Sequence, residues 1–307
     1  LKLPLPQKSA IAPSSFCAAR KKLDEAAFSC INRRIIATYA QKEQGQSYRW
    51  LGHGIFAVDG SKINLPRSLL SSGYKLPSDN ANYPQGLLSC LYQLKSKIPF
   101  DFDLVPHADE RSCAERHLAV LGKDDVVVYD RGYFSYNMLH RHYQSGVHAI
   151  FRLQESSYTV IRDFFASQQT DIIASIDPSS ATRHEIMRKH PELDIVPLNM
   201  RLIKYQLADA TFCLGTTLVD QSRYSNTKDF IDVYHERWGI EELYKVSKRI
   251  FIIEDFHAQN ERGVKQEIFA HFVLVTMNRI FANQADDDLN PSDNPINKAA
   301  NAINSGP

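Results

Sequence analysis

Residues 126 to 129 read Val-Val-Val-Tyr, with Asp130 next, and the run lies between two segments patterned as helices. A strand this short and wholly apolar is buried on both faces. A chain that places helices before and after such a strand builds a sheet with helices packed on it. The preceding helix is "DERSCAERHLAVL" (109–121), acidic in its first turn where the macrodipole favours it. The following one is "YFSYNMLHRHYQSG", ending at Gly146. Upstream, "GIFAVDGSKINL" (54–65) is a β-branched and aromatic run, expected to stop or turn at Asp59. After a polar loop, "GLLSCLYQLKSKIPFDFDLVP" offers two more strands joined by a Lys/Ser turn. The expectation is an α/β fold: three antiparallel strands, then a helical crossover to a parallel strand beside the first.

Residues 18–42 carry helix formers at helical spacing and predict one or two helices. Residues 147–222 change character, and "HAIFRLQ", "YTVIRDF", "DIVPLNMRLIKYQL" and "ATFCLGTTLVD" all pattern as strands. Helix returns in "NTKDFIDVYHERWGIEELYKVSKRI" (226–250) and in "ERGVKQEIFAHFVLVTMNRIFANQ" (261–284). The expected organisation is an N-terminal helical segment (1–50), a first core part (51–146), a β-rich insertion (147–222), a helical second core part (223–284) and a polar, flexible tail (285–307).

With 307 residues and 43% hydrophobic composition, the chain can bury a full core. Its 36 basic and 35 acidic residues give no average bias toward a polyanion, so local clusters must carry any such case. The 5 cysteines are scattered and never form a CxxC pair, which argues against a disulfide framework and a zinc site. His107, Cys113 and His117 suit no common zinc spacing, and His140 and His142 are expected at the surface of their helix. No apolar run approaches the roughly 20 residues of a membrane span, and the first residues lack a secretory signal. A cytoplasmic protein is the expectation, with an upstream segment preceding Leu1.

The helix around "YHERWGIEELYKVSKR" carries the chemistry. At about 100° per residue, Tyr234, Arg237, Glu241 and Lys248 fall within an arc of about 60°. Val233, Ile240, Leu243, Val246 and Ile250 gather opposite them as a core stripe. The polar face admits two readings. Arg237 and Glu241 stand four residues apart and can pair on a solvated surface. Alternatively, Arg, Tyr and Lys flanking a carboxylate suit phosphate contacts beside a metal ligand. Asp59 and Asp130, each followed closely by Gly, supply the possible partners; singly, each also reads as a turn cap. Two Asp on neighbouring central strands plus Glu241 on a helix over the same sheet make an oxygen-only cage for one or two Mg²⁺ or Mn²⁺ ions. Lys62, just past Asp59, is a further candidate phosphate contact.

These residues resemble the DDE transposases of bacterial insertion sequences. "YHERWGIEELYKVSK" matches that family's Y-x2-R-x3-E-x6-K signature, while "FAVDGS" and "VVVYDRGYF" are similar to its two Asp motifs, in order. The likeness runs from about residue 50 to about residue 284. It implies a ribonuclease-H-like mixed sheet flanked by helices and interrupted by a β-rich insertion domain. It further implies a two-metal site at Asp59, Asp130 and Glu241, with Tyr234, Arg237 and Lys248 on backbone phosphates. The implied reaction is a cut-and-paste one: 3′-end cleavage, then attack of the freed 3′-OH on target DNA. The implied partners are double-stranded DNA of the terminal repeats and the target, and a second copy of the chain; no membrane is involved, and the implied place is the bacterial nucleoid. Relatives often form a DNA hairpin with one base flipped onto an aromatic residue of the insertion. This chain has Trp only at 50 and 238, so Trp238, Tyr158, Phe164 or Phe165 would have to serve. The segment before the core is short for an end-reading domain, and residues beyond 285 do not resemble a dimerisation tail. Two alternatives stay open: a nuclease of the same fold without strand transfer, and a truncated DNA-binding regulatory relative.

Overall fold

The computed structural model describes residues 12–42, 48–106, 109–189, 191, 194–250 and 252–289. In chain order these form α1 (Pro13–Arg20), α2 (Ala26–Lys42), β1 (Arg49–Trp50), β2 (His53–Asn64), β3 (Gln85–Gln93), β4 (Ile98–Val105), α3 (Glu110–His117), β5 (Val126–Tyr129) and α4 (Tyr136–Ser145). There follow β6 (His148–Leu153), α5 (Thr159–Ala166), β7 (Asp171–Ile176), α6 (Ser180–Lys189), β8 (Leu198–Leu207), β9 (Ala210–Thr216), α7 (Thr227–Glu236), α8 (Trp238–Arg249) and α9 (Glu261–Leu289).

Strands β2, β3 and β4 form the expected antiparallel meander, and β5 joins the other side of β2 in parallel. Strand β6 then pairs parallel to β5. The order β4-β3-β2-β5-β6 is that of a ribonuclease-H-like core. The sheet does not end there. Strand β9 pairs antiparallel with β6, and β8 and β7 follow, giving 9 strands with β1 on β2. Within the block read as an insertion, β6 thus pairs with the core strand β5, and the remaining strands lengthen the same sheet.

Alternation along the strands sorts side chains to two faces. Ile55, Ala57, Val126, Val128 and Ile150 face a core shared with Val233, Ile240 and Leu243 of α7 and α8 and with Phe272 of α9. Phe56, Val58, Val127, Tyr129 and Phe151 face Ala114 of α3 and Met138 and Leu139 of α4. Each fully buried aliphatic or Phe side chain stabilises by about 2 kcal/mol, so both helical layers are held by many such terms. No helix among the described residues is long and apolar enough to cross a membrane.

Five expectations are corrected. Strand β2 does not stop at Asp59 but continues to Asn64, with Gly60 paired to Ser89. "YTVIRDF" is helix α5 rather than strand, because the Lys204 ammonium donates to the carbonyls of Phe164, Phe165 and Ser167 and caps its C-terminal end. His140 and His142 are buried, the latter between the Val147 carbonyl at 2.8 Å and the Tyr129 hydroxyl at 3.0 Å. Val246 and Ile250 are exposed, and Tyr244 and Ser247 take their inward places. Helix α9 runs through Leu289, into the segment read as tail; residues 290–307, like His107, lie outside the described residues.

Candidate active site

The register of β2 on β5 places the first two acids. Ala57 stands opposite Val128, so Asp59 and Asp130 each lie two residues further along adjacent parallel strands. Both therefore belong to the sheet face that carries Ala57 and Val128, the face under α7 and α8. A Cβ on Gly60 would come within 2.8 Å of Leu87 Cδ1 and 3.3 Å of Glu110 Cγ, so the ends of those side chains would have to move aside.

Glu241 reaches the same face from α8. One turn further along that helix, the buried Tyr244 hydroxyl sits 2.8 Å from the Asp59 carbonyl oxygen and 3.0 Å from that of Leu88. That anchor fixes α8 over β2 and β3. Lys248 donates to the Lys62 carbonyl at 2.7 Å, closing the lower end of the helix onto the strand. Asp59, Glu241, Lys245, Lys248 and Arg249 line a cleft of about 370 Å³. Lys62 is exposed, but alternation puts its side chain on the face of β2 opposite Asp59, where it lines a separate groove with Lys75, Asp109 and Glu110, so the structure does not bring it into this cleft.

The polar stripe of the helix is not an outer face. Tyr234 and Arg237 are 6% and 8% exposed, so they lie between the sheet and the helix instead of pointing to solvent. The Tyr234 hydroxyl donates to Asp130 Oδ1 at 3.1 Å, and Arg237 Nη2 donates to Glu241 Oε1 at 2.8 Å. Arg237 also stands at a joint: α7 ends at Glu236, α8 starts at Trp238, and the tighter bonds Arg237 N–H to Tyr234 O and Ile240 N–H to Arg237 O bridge the two.

The two aspartates are tuned apart. Burial pushes the Asp59 carboxyl up to about 6, against the Gly60 N–H and the Arg237 charge, and Glu110 and Glu241 push the same way. For Asp130 burial also acts upward, but the Arg131 N–H, Arg237, Tyr234 and Arg152 outweigh it and hold the carboxyl below its ordinary value. Arg152 and Tyr244, which the helical wheel does not single out, also reach this site. Arg152 Nη1 lies 3.9 Å from Asp130 Oδ1, with its guanidinium 4.8 Å from the Phe212 ring centre. Alternation signals it: Arg152 shares a face with Ile150, which pairs with Val128.

The aromatic candidates separate. Phe164 is 2% exposed under the Lys204 ammonium, so it offers no face to a base. Trp238 is 53% exposed, with Lys245 over its ring and Nε1 donating to Glu242. Tyr158 packs edge-on to Phe134, and both line a polar groove of about 800 Å³ that starts at Arg131, beside Asp130.

Three carboxylates and no sulfur or imidazole make a donor set suited to Mg²⁺ or Mn²⁺. Burial is the main cause of Asp59's upward shift, and Glu110 and Glu241 add to it. Among the described residues, however, no three His, Cys, Asp or Glu side chains stand close enough to enclose an ion. The donor chemistry fits a divalent cation, while the carboxylates stand open, with Arg237 acting on all three.

The sequence model of the family described as transposase DDE domain matches residues 50–277. No curated protein matches the chain. A solved structure similar to it is the cryo-EM structure of piggyBac transposase synaptic complex with hairpin DNA, at 9% identity and a TM-score of 0.48. That likeness covers 76% of this chain and 48% of the other, so the chain spans about half its length.

Proposed function

Because the chain belongs to the transposase DDE domain family, we propose that Asp59, Asp130 and Glu241 are the catalytic carboxylates of a cut-and-paste DNA transposase. The observation that carries this reading is the shared level of Asp59 and Asp130 on adjacent strands, with Glu241 held over them by the Tyr244 anchor. Asp59, Asp130 and Glu241 would hold one or two Mg²⁺ or Mn²⁺ ions, which when bound would supply Lewis-acid activation of the attacking hydroxyl and charge stabilisation of the leaving 3′ oxygen.

The chain's own groups do the rest. Tyr234 donates to one Asp130 oxygen at 3.1 Å, which supports a role in positioning that carboxylate rather than in gripping phosphate directly. Arg152 and Arg237 offset the carboxylate charge and give a phosphodiester a cationic flank. Lys248 at the cleft edge contacts the DNA backbone, as a point charge without sequence preference. Tyr158 and Trp238 remain the aromatic faces available to an unstacked base. The partners are duplex DNA of the element's ends and target, and a second copy of the chain.

The test is excision and nicking of a supercoiled plasmid that carries the element's own flanking ends, in Mg²⁺ or Mn²⁺. Asp130→Asn and Glu241→Gln are expected to lower the rate by about 10³-fold or more, since each removes a charge used in the transition state. Unchanged cleavage by either variant would mean that the site is wrongly assigned. Joining of precleaved 3′-OH ends to a second plasmid separates a transposase from a nuclease of the same fold.

A further inference from the structure

Glu241 has one partner too many. Its Oε1 accepts from Arg237 at 2.8 Å, yet the same carboxylate is needed to complete the metal site. The pair is not explained by helix stability. Arg four residues before Glu is the weaker order for an i, i+4 pair, worth at most a few tenths of a kcal/mol. What holds Arg237 is its surroundings: its side chain is 9% exposed, and Asp59 and Asp130 both feel its charge. The guanidinium is the counter-charge of an anionic pocket whose three carboxylates do not close around an ion.

A buried guanidinium cannot simply lose its carboxylate, because an unpaired buried charge is strongly unfavourable. It can exchange it. A phosphodiester oxygen pair matches the fork of Arg as well as a carboxylate does. The joint between α7 and α8 falls at Arg237 itself, with 3₁₀-type bonds on each side, where a small rotation meets least resistance.

The geometry points to Arg237 as an exchange residue: a DNA phosphate takes it from Glu241, which frees Glu241 to bind metal, so that DNA and divalent cation bind cooperatively. This rests on the metal reading of Asp59, Asp130 and Glu241. By reciprocity, whatever factor DNA adds to metal affinity, metal adds to DNA affinity. The alternative is a static ion pair, in which case the two bind independently.

The test is Mn²⁺ binding to the full chain, followed by loss of the free-ion EPR signal, with and without a blunt duplex ending in 3′ hydroxyls; the duplex's own Mn²⁺ uptake is subtracted. For the wild type we expect affinity to rise about tenfold with duplex, within the usual range of coupling. Arg237→Gln should bind Mn²⁺ without DNA about as tightly as the wild-type complex does, with no further gain from duplex. Arg262→Gln removes an exposed cation on α9 that pairs with Glu25 and with none of the three acids, so it should keep the tenfold gain. A gain that survives in Arg237→Gln, or is absent from the wild type, overturns the exchange. If Asp59→Asn leaves Mn²⁺ binding unchanged, the metal reading itself falls, and the exchange with it. The wild-type arm needs no variant to fold: its duplex affinity at saturating Mn²⁺ and constant ionic strength must rise by the same factor.

Discussion

Arg201 and Asp59 both carry charge into the interior of one sheet, the first wholly buried on β8 and the second half-buried on β2. Arg201 directs Nε and Nη2 to the two oxygens of Asp171 at 2.8 and 2.6 Å, and Nη1 to the Tyr224 carbonyl at 2.7 Å. Its flat face lies 5.3 Å from the Phe230 ring centre on α7. His142, on the other side of the sheet, is closed in the same way. The Val147 carbonyl can only accept, so Nδ1 carries the proton and Nε2 accepts from Tyr129. Around Asp59 the balance is left open, with Glu110 and Glu241 adding negative charge and Arg237 shared among three acids. Buried polar groups with every partner present fix a structure. Groups left short of a counter-charge are poised to bind one.

The largest expected effect tests the closed side. Arg201→Met leaves Asp171 and the Tyr224 carbonyl without their donor and should destabilise the fold by about 3–5 kcal/mol, read from the urea midpoint. The double variant Arg201→Met with Asp171→Leu should recover most of that loss, because replacing both charges removes the unpaired one. A single-variant loss below about 1 kcal/mol would mean that the cluster is not the bolt between β8 and α7 that its geometry implies.

Next comes acid. Burial holds the His142 imidazole down to about 4 from an ordinary 6.5. Above pH 6.5 neither state binds the proton and nothing is lost. As pH falls from 6.5 toward 4 the unfolded chain is protonated while the folded one is not, and stability drops by about 3 kcal/mol. Urea unfolding of wild type and His142→Gln at pH 7 and pH 4 checks this: the acid-induced loss should be smaller in the variant by about that amount. Equal losses in both chains would place the imidazole's protonation elsewhere.

How far the sequence could be read follows the same division. The α/β order, the parallel strand at 126–129 and the two aspartates were legible because they depend on period-two alternation and on strand register. The closed clusters were not. His142 patterns as a surface residue until Val147 and Tyr129 are brought to its two nitrogens. Helix α5 is β-branched and aromatic, and it is settled by Lys204, which arrives from a strand more than thirty residues later. Tyr244 and Ser247 displaced Val246 and Ile250 from the core because their hydroxyls meet Asp59, Leu88 and His271 inside. Hydrophobic pattern cannot foresee a polar atom that finds its partner in another element.

The smallest effect, and the one of opposite sign, belongs to the open side. Asp59 has its carboxyl raised from 3.8 to about 6, mainly by burial. Below pH 3.8 both folded and unfolded chains carry the proton, so its ionisation costs nothing. Between 3.8 and 6 the unfolded chain gives up the proton first, stability falls as pH rises, and above 6 the full cost of the buried charge is present. Asp59→Asn removes that cost. After allowance for partial exposure, it should stabilise the metal-free protein by about 2 kcal/mol at pH 8, a gain that vanishes below pH 4. The attraction of Arg237 is already contained in the net shift, so its loss does not reverse the sign. Mg²⁺ should narrow the gap at pH 8, because the ion stabilises only the chain that retains the carboxylate. Thermal unfolding of both chains at pH 8 and pH 4, with and without Mg²⁺, measures all three terms. A destabilised Asn variant at pH 8 would show that Asp59 is as fully partnered as Arg201, and the contrast between the two regions would fail.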